Sequence, residues 1–261
     1  MNENSNSKES NSRRAFLLMS SGALAAAAVS QLAFSGAPAS RRPRAILFDA
    51  FPIFDPRPVN ALVEARVPEK GRELSELWRA RIFEYQWLRG LAGRYTDFEH
   101  AVREALAFAT SSLKIELAAA HAEELVRAYS NLKAWPDVRP ALDALKAMGL
   151  KIGFLSNMTE PMLRANAHGA GLDDAFDIVL STDQVKAFKP DPRAYALASE
   201  ALGLDKREIL FVAFAGWDVA GAMWYGLPTF WVNRMQAVPE FGMRADGEGR
   251  GLDDLLRFVR A

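Results

Sequence analysis

From Trp135 to the C-terminus the chain repeats one pattern: a short apolar run, then a stretch of helical periodicity. The apolar runs fall at residues 151–155, 177–180, 209–213 and 229–232. Helices are predicted at about 138–148, at 160–168, after Pro192, and at 217–225 and 252–259. Short runs that are apolar without alternation are buried on both faces. Strands separated by helices of this length must run parallel, because each connection crosses a face of the sheet. One more run, Arg44-Ala45-Ile46-Leu47-Phe48-Asp49, precedes this region and ends on an acid. Between them, residues 59–130 read as helical throughout: Leu74, Leu77, Trp78, Ile82 and Phe83 recur at helical spacing, as do Val102 and Leu106. Asp97 is the natural cap of the second series. The predicted fold is therefore α/β, a Rossmann-like parallel sheet built from residues 40–58 and 131–261, with residues 59–130 inserted as a helical cap subdomain.

The N-terminus does not belong to that fold. Residues 1–11 are polar, and Ser12-Arg13-Arg14-Ala15-Phe16-Leu17 opens an Ala-rich apolar run that ends near Ala37-Pro38-Ala39. The order basic, apolar, small is that of a secretory signal. With its paired arginines it resembles a twin-arginine signal, which implies the twin-arginine export machinery as a partner and a periplasmic or secreted location. An uncleaved membrane helix is the competing reading. Residues 1–39 are accordingly assigned to the signal, with Ser40 as the mature start.

Composition removes several chemistries. Lysine plus arginine equals aspartate plus glutamate, so no basic surface recommends a nucleic acid partner. There is no cysteine, which excludes disulfides, thiolate nucleophiles and cysteine metal sites. The three histidines, His100, His121 and His168, stand in no metal-ligand spacing. Neither a metal nor a cofactor is expected.

Ligands of open parallel sheets bind beyond the carboxyl ends of the strands. The first strand delivers Asp49 there, and the second Ser156 and Asn157. The loop after the third delivers Lys189, and the region after the fourth delivers Trp217 and Asp218. Two acids, a lysine and a hydroxyl at one rim form a nucleophile with its counter-ion and a second acid. Each residue also has a structural reading. Asp49 could end a strand, Lys189 could lie in an exposed loop, and Asp218 could favour a helix N-terminus. Ser156 could cap the next helix.

These segments resemble the haloacid dehalogenase superfamily, and within it the L-2-haloacid dehalogenase branch. The resemblance is carried by Phe48-Asp49-Ala50-Phe51, Trp78-Arg79, Leu155-Ser156-Asn157, Phe188-Lys189-Pro190-Asp191 with Tyr195, and Trp217-Asp218. It implies hydrolytic dehalogenation of small 2-haloalkanoic acids to 2-hydroxy acids. Asp49 displaces the halide to form an ester, and water then cleaves that ester. By the same resemblance Arg79 holds the substrate carboxylate and the departing halide, with Arg81 and Arg89 as rivals. Lys189 pairs with Asp49, Asp218 orients or activates water, and Tyr195 bonds near Lys189. Ser156 and Asn157 bind the substrate carboxylate through hydroxyl and backbone N–H, while Phe51 and Trp217 form an apolar wall. Phe83 is a further wall candidate, and Trp78 and Trp87 are assigned to the core. Phosphatases of the superfamily carry an acid where Phe51 stands, and a phenyl ring suits an organohalide better than a phosphate dianion.

The chain also departs from the branch. Ile53 replaces a threonine, and Ala213 and Ala215 replace a serine and an asparagine, which implies an altered ester-hydrolysis step. Pro52 and Phe214 would narrow the pocket toward small substrates. An exported small-acid-binding protein is the alternative function, and a phosphatase of the same fold a more distant one. A homodimer is expected from the resemblance and from spare apolar positions in the helical block.

Overall fold

The computed structural model describes residues 42–261. The signal assigned to residues 1–39 and the mature start at Ser40 lie outside the described residues. Five parallel strands form where the sequence places them: β1 (Ala45–Phe48), β4 (Lys151–Ser156), β5 (Ile178–Ser181), β6 (Ile209–Ala213) and β7 (Thr229–Val232). A sixth, β8 (Gly247–Gly249), pairs with β7 at the edge. The order is β5-β4-β1-β6-β7-β8, with all neighbours parallel. The expected α/β class is what the structure has. Strand β8 escaped the sequence reading because Gly-Glu-Gly has no strand propensity; its pairing with β7 makes it a strand.

Alternate residues of each strand enter different cores, as a two-residue period requires. Ile46, Phe48, Ile152, Phe154, Leu210 and Val212 face a cluster with α6 (Val138–Ala147), α7 (Glu160–Gly169) and α10 (Leu252–Arg260). Ala45, Leu47, Leu155, Phe211 and Ala213 face a second cluster with α8 (Pro192–Leu202) and α9 (Gly216–Tyr225). The first cluster continues into four helices that lie between β1 and β4 in sequence. These are α2 (Arg57–Arg66), α3 (Gly71–Leu91), α4 (Phe98–Ser112) and α5 (Ala119–Ala128). Asp97 caps α4 by accepting from the His100 N–H.

Chain entry to this helical block and exit from it are tied together. A one-turn helix, α1 (Ala50–Ile53), leads into β2 (Phe54–Asp55), which pairs antiparallel with β3 (Lys133–Ala134). Neither two-residue strand has a sequence signal. Asn166 on α7 then anchors the return: its Oδ1 accepts from the Leu132 N–H at 2.7 Å and its Nδ2 donates to Tyr129 O at 2.9 Å. Among the described residues no helix is long and apolar enough to cross a membrane.

Candidate active site

The sheet order places β1 between β4 and β6. The chain goes from β1 outward through β4 and β5, then crosses to β6 and β7 on the other side, and this reversal of strand order opens a crevice at the carboxyl end of β1. Asp49 is the first residue past β1, held by the Phe51 N–H, which donates to Oδ2 at 3.2 Å. Ser156 ends β4, and its hydroxyl donates to Asp49 Oδ1 at 3.2 Å. Lys189 arrives from the loop before α8 and is fully buried. Its Nζ donates to Asp49 Oδ1 at 3.0 Å and to Asp218 Oδ2 at 2.6 Å, and lies 4.8 Å from the centre of the Phe211 ring. Asp218, in the first turn of α9, takes a second bond from the Tyr195 hydroxyl at 2.7 Å. The Tyr195 ring reaches it because position 221 is glycine: a Cβ there would lie 2.5 Å from the Tyr195 oxygen and 2.7 Å from Pro190 Cβ.

Two carboxylates and one ammonium thus share a buried site. Burial drives the Asp218 carboxyl up, and the adjacent Asp49 charge adds to the effect. Lys189 and Tyr195 pull it back, leaving it at about 6. For Lys189, burial works against the charge, but the carboxylates of Asp218 and Asp49 outweigh it and hold its pKa above the ordinary lysine value. Burial, then Asp218, raises Tyr195 well above the ordinary tyrosine value. Near neutral pH the lysine is therefore an ammonium and the phenol a proton donor.

Above this cluster lies a cavity of about 420 Å³. Asp49, Ser156, Asn157, Phe51, Trp217, Asp218 and Arg79 all border it. Tyr195 and Lys189 stand behind the wall, touching it through Asp218 and Asp49. The three helical arginines separate by their partners. Arg81 pairs with Glu84, and Arg89 with Glu104. Arg79 borders the cavity with no hydrogen bond or ion pair to any described residue.

Asn157 was expected to offer the substrate its backbone N–H, and it borders the cavity. Its side chain is committed elsewhere. Its Nδ2 donates to Gln86 Oε1 at 2.8 Å, while its Oδ1 accepts from the Lys189 N–H at 2.9 Å and the Thr182 hydroxyl at 3.2 Å. It aligns the lysine loop and bonds the cap to the core. Trp87, assigned to the core, borders the cavity with Phe83, and both rings pack on Trp217 at 5.6 and 5.5 Å. Trp78 is core, as expected. Pro52 is buried within α1 and does not border the cavity, whereas Phe214 does, 6.0 Å from Phe51. Ile53 and Ala213 are wholly buried, and only Ala215 of the three departures faces the cavity.

A signal for the aromatic wall was present in the sequence. Arg79, Phe83 and Trp87 recur at i, i+4 and i+8 and so share one stripe of α3. Gln86, on the adjoining stripe, is fully buried and bonds Ile82 O at 3.0 Å. Nothing in the sequence marks Tyr129, Met158 or Glu240, which also border the cavity.

The family of haloacid dehalogenase-like hydrolases matches residues 17–223 of the chain. The (S)-2-haloacid dehalogenase of Pseudomonas sp. (strain YL) is 42% identical over 207 residues, covering 78% of this chain and 89% of its own. The crystal structure of the L-2-haloacid dehalogenase RSc1362 superposes with a TM-score of 0.82 at 41% identity, covering 84% of this chain and 99% of that one. The L-2-haloacid dehalogenase from Xanthobacter autotrophicus, in its structure with chloropropionic acid covalently bound, gives 0.76 at 33% identity over the same shares.

Proposed function

The chain belongs to the haloacid dehalogenase-like hydrolases, and on that footing we propose that it hydrolyses the carbon–halogen bond of small 2-haloalkanoic acids, by way of an ester on Asp49. The observation that carries this reading is the placement of Lys189 between Asp49 and Asp218 at the base of an apolar cavity. The ammonium serves both acids as counter-ion. Phe51 borders the cavity where a phosphatase of the fold has its second acid.

In the first step one Asp49 oxygen attacks the carbon bearing the halogen from the rear, the carbon–halogen bond breaks, and halide leaves. Rear attack inverts the carbon, so an (S)-2-haloacid yields an (R)-2-hydroxy acid. Arg79 offers a planar donor fork to the substrate carboxylate and the departing halide. Ser156 orients the Asp49 carboxylate, Asn157 aligns the lysine loop, and Trp217, Phe83 and Phe51 keep the carbon–halogen bond in an apolar setting. In the second step water, oriented beside Asp218, cleaves the ester.

Halide release from chloroacetate and from each enantiomer of 2-chloropropionate, with EDTA present, tests the reading. The parent enzyme releases halide from chloroacetate and the (S) acid, and Asp49→Asn releases none. Absence of both halide and a covalent adduct from the parent would point instead to a small-acid-binding protein.

The same reading extends to location and assembly. The paired Arg13 and Arg14 ahead of an apolar run support export by the twin-arginine route to the periplasm. Replacing both by lysine should leave the chain in the cytoplasmic fraction. Leu88 and Leu91 on α3 and Phe108 on α4 are exposed, which supports a homodimer through these helices. Light scattering reports its mass.

A further inference from the structure

Two donors that border the cavity have no acceptor among the described residues. One is the Arg79 guanidinium. The other is the hydroxyl of Tyr129, a residue that borders the cavity with only 7% of its surface exposed. A buried donor left unmatched is costly, and native structures rarely keep one without a use. Among the described residues four fully enclosed side-chain polar atoms lack a partner: Ser75 Oγ, Arg81 Nε, Ser199 Oγ and Arg234 Nε. The Tyr129 hydroxyl is not one of them. It is unpartnered without being enclosed, so the small exposed part of the residue includes the hydroxyl, and that part faces the cavity.

The ring is held in this pose. Trp78 and Phe98 meet it in T-shaped contacts, at 5.5 and 6.2 Å between centres. Asn166 Nδ2 donates to the Tyr129 carbonyl at 2.9 Å and fixes the backbone behind it. Burial raises the hydroxyl above the ordinary tyrosine value, and the Arg79 charge pulls against that rise, so the guanidinium stands near enough to act on it. Near neutral pH the phenol keeps its proton, and no bond joins it to Arg79. An anion lodged between them accepts from both.

The flanking strands indicate which end of a substrate lies there. β4 and β6 stand on opposite sides of β1. Tyr129 belongs to the β4 side: Asn166, which bonds its carbonyl, also donates to Met158 Sδ at 3.8 Å, and Met158 borders the cavity directly after Ser156 and Asn157. The Ser156 hydroxyl and the Asn157 N–H are the groups assigned to the substrate carboxylate. The apolar wall of Phe214 and Trp217 follows β6. We propose that the Tyr129 hydroxyl binds the substrate carboxylate together with the Arg79 guanidinium; the inference rests on the dehalogenase reading above and adds a substrate-binding residue to it. The hydroxyl donates to one carboxylate oxygen, and its own proton stays in place throughout the reaction.

Tyr129→Phe removes the hydroxyl and keeps the ring, so the melting temperature should not fall. In steady-state chloride release from chloroacetate, KM should rise about tenfold or more, as for loss of a hydrogen bond to a charged group, with kcat nearly unchanged. Acetate, which has the carboxylate but no halogen, should weaken by the same factor as a competitive inhibitor, while inhibition by chloride and bromide ions stays at the parental level. Unchanged KM and acetate inhibition overturn the assignment. So does weaker halide inhibition with acetate unaffected, which gives the hydroxyl to the leaving halide instead. If the parent enzyme releases no chloride, the dehalogenase reading fails, and calorimetric titration with acetate still decides the role of Tyr129: weaker binding to the variant supports a carboxylate donor, and equal binding overturns it.

Discussion

Replacing Lys189 by methionine tests the electrostatic design of the site. The side chain is fully buried and touches Asp218 at 2.6 Å and Asp49 at 3.0 Å. At an effective dielectric of about 20, each contact has a gross Coulomb energy of roughly 6 kcal/mol. Most of that offsets the desolvation of three charges. What decides the outcome is the asymmetry of removing one partner: Lys189→Met leaves two carboxylates facing each other without a counter-ion. The expected loss of stability is about 3–5 kcal/mol. It should depend on pH with a definite sign. At pH 8, above the value of about 6 for Asp218, that acid is charged in the parent and the full cost of losing its counter-ion appears. At pH 5, below the value of about 6 at which Asp218 takes up a proton, one of the two charges is gone. Loss of Lys189 moves Asp218 further in that direction. The cost at pH 5 should be roughly half that at pH 8. Urea unfolding of parent and variant, followed by tryptophan fluorescence at both pH values, measures the difference. Halide release should fall about 100-fold or more, as for loss of a charge aimed at the reacting group. Equal losses of stability at the two pH values would refute the reasoning, because they would mean that lost packing, not uncompensated charge, sets the cost.

Other outcomes follow from the same geometry. Arg79→Lys should raise KM for chloroacetate about tenfold through loss of the planar fork, with a smaller change in kcat. Its melting temperature should not move, because Arg79 pairs with no described residue. Turnover should fall as the pH drops below about 6, where Asp218 is protonated and no longer holds Lys189 as an anion. Stability runs the other way. A carboxyl whose pKa rises on folding, here from 3.8 to about 6, binds its proton more tightly in the fold, so the Asp218 contribution declines as pH rises through that window. A pH–rate profile and urea midpoints across the same range check the opposed trends. Gln86→Leu removes a bond between cap and core and leaves the Asn157 amide unpaired, at a cost of about 1–3 kcal/mol by urea unfolding.

Strands that are buried on both faces announce themselves as apolar runs, which is why β1, β4, β6 and β7 could be read from composition along the chain. The helix start at Asp97 was equally legible, because a side chain that accepts a nearby backbone N–H acts within a few residues. Asp49, Lys189 and Asp218 were marked as one site by a rule of topology: parallel strands deliver their carboxyl ends to a common rim. Contacts between distant segments were not legible. Phe54 and Ala134 pair across the whole helical block, and Gly247–Gly249 is a strand only because β7 lies beside it. Which arginine is left for the cavity depended on where Glu84 and Glu104 stand, since these pair with Arg81 and Arg89. Glu240 carries no local signature at all, and a loop 22 residues beyond Asp218 brings it to that residue's helix. Local propensity and burial act within a few positions and are written in the chain. The choice of partner for each charge is made by packing, and only the folded structure contains it.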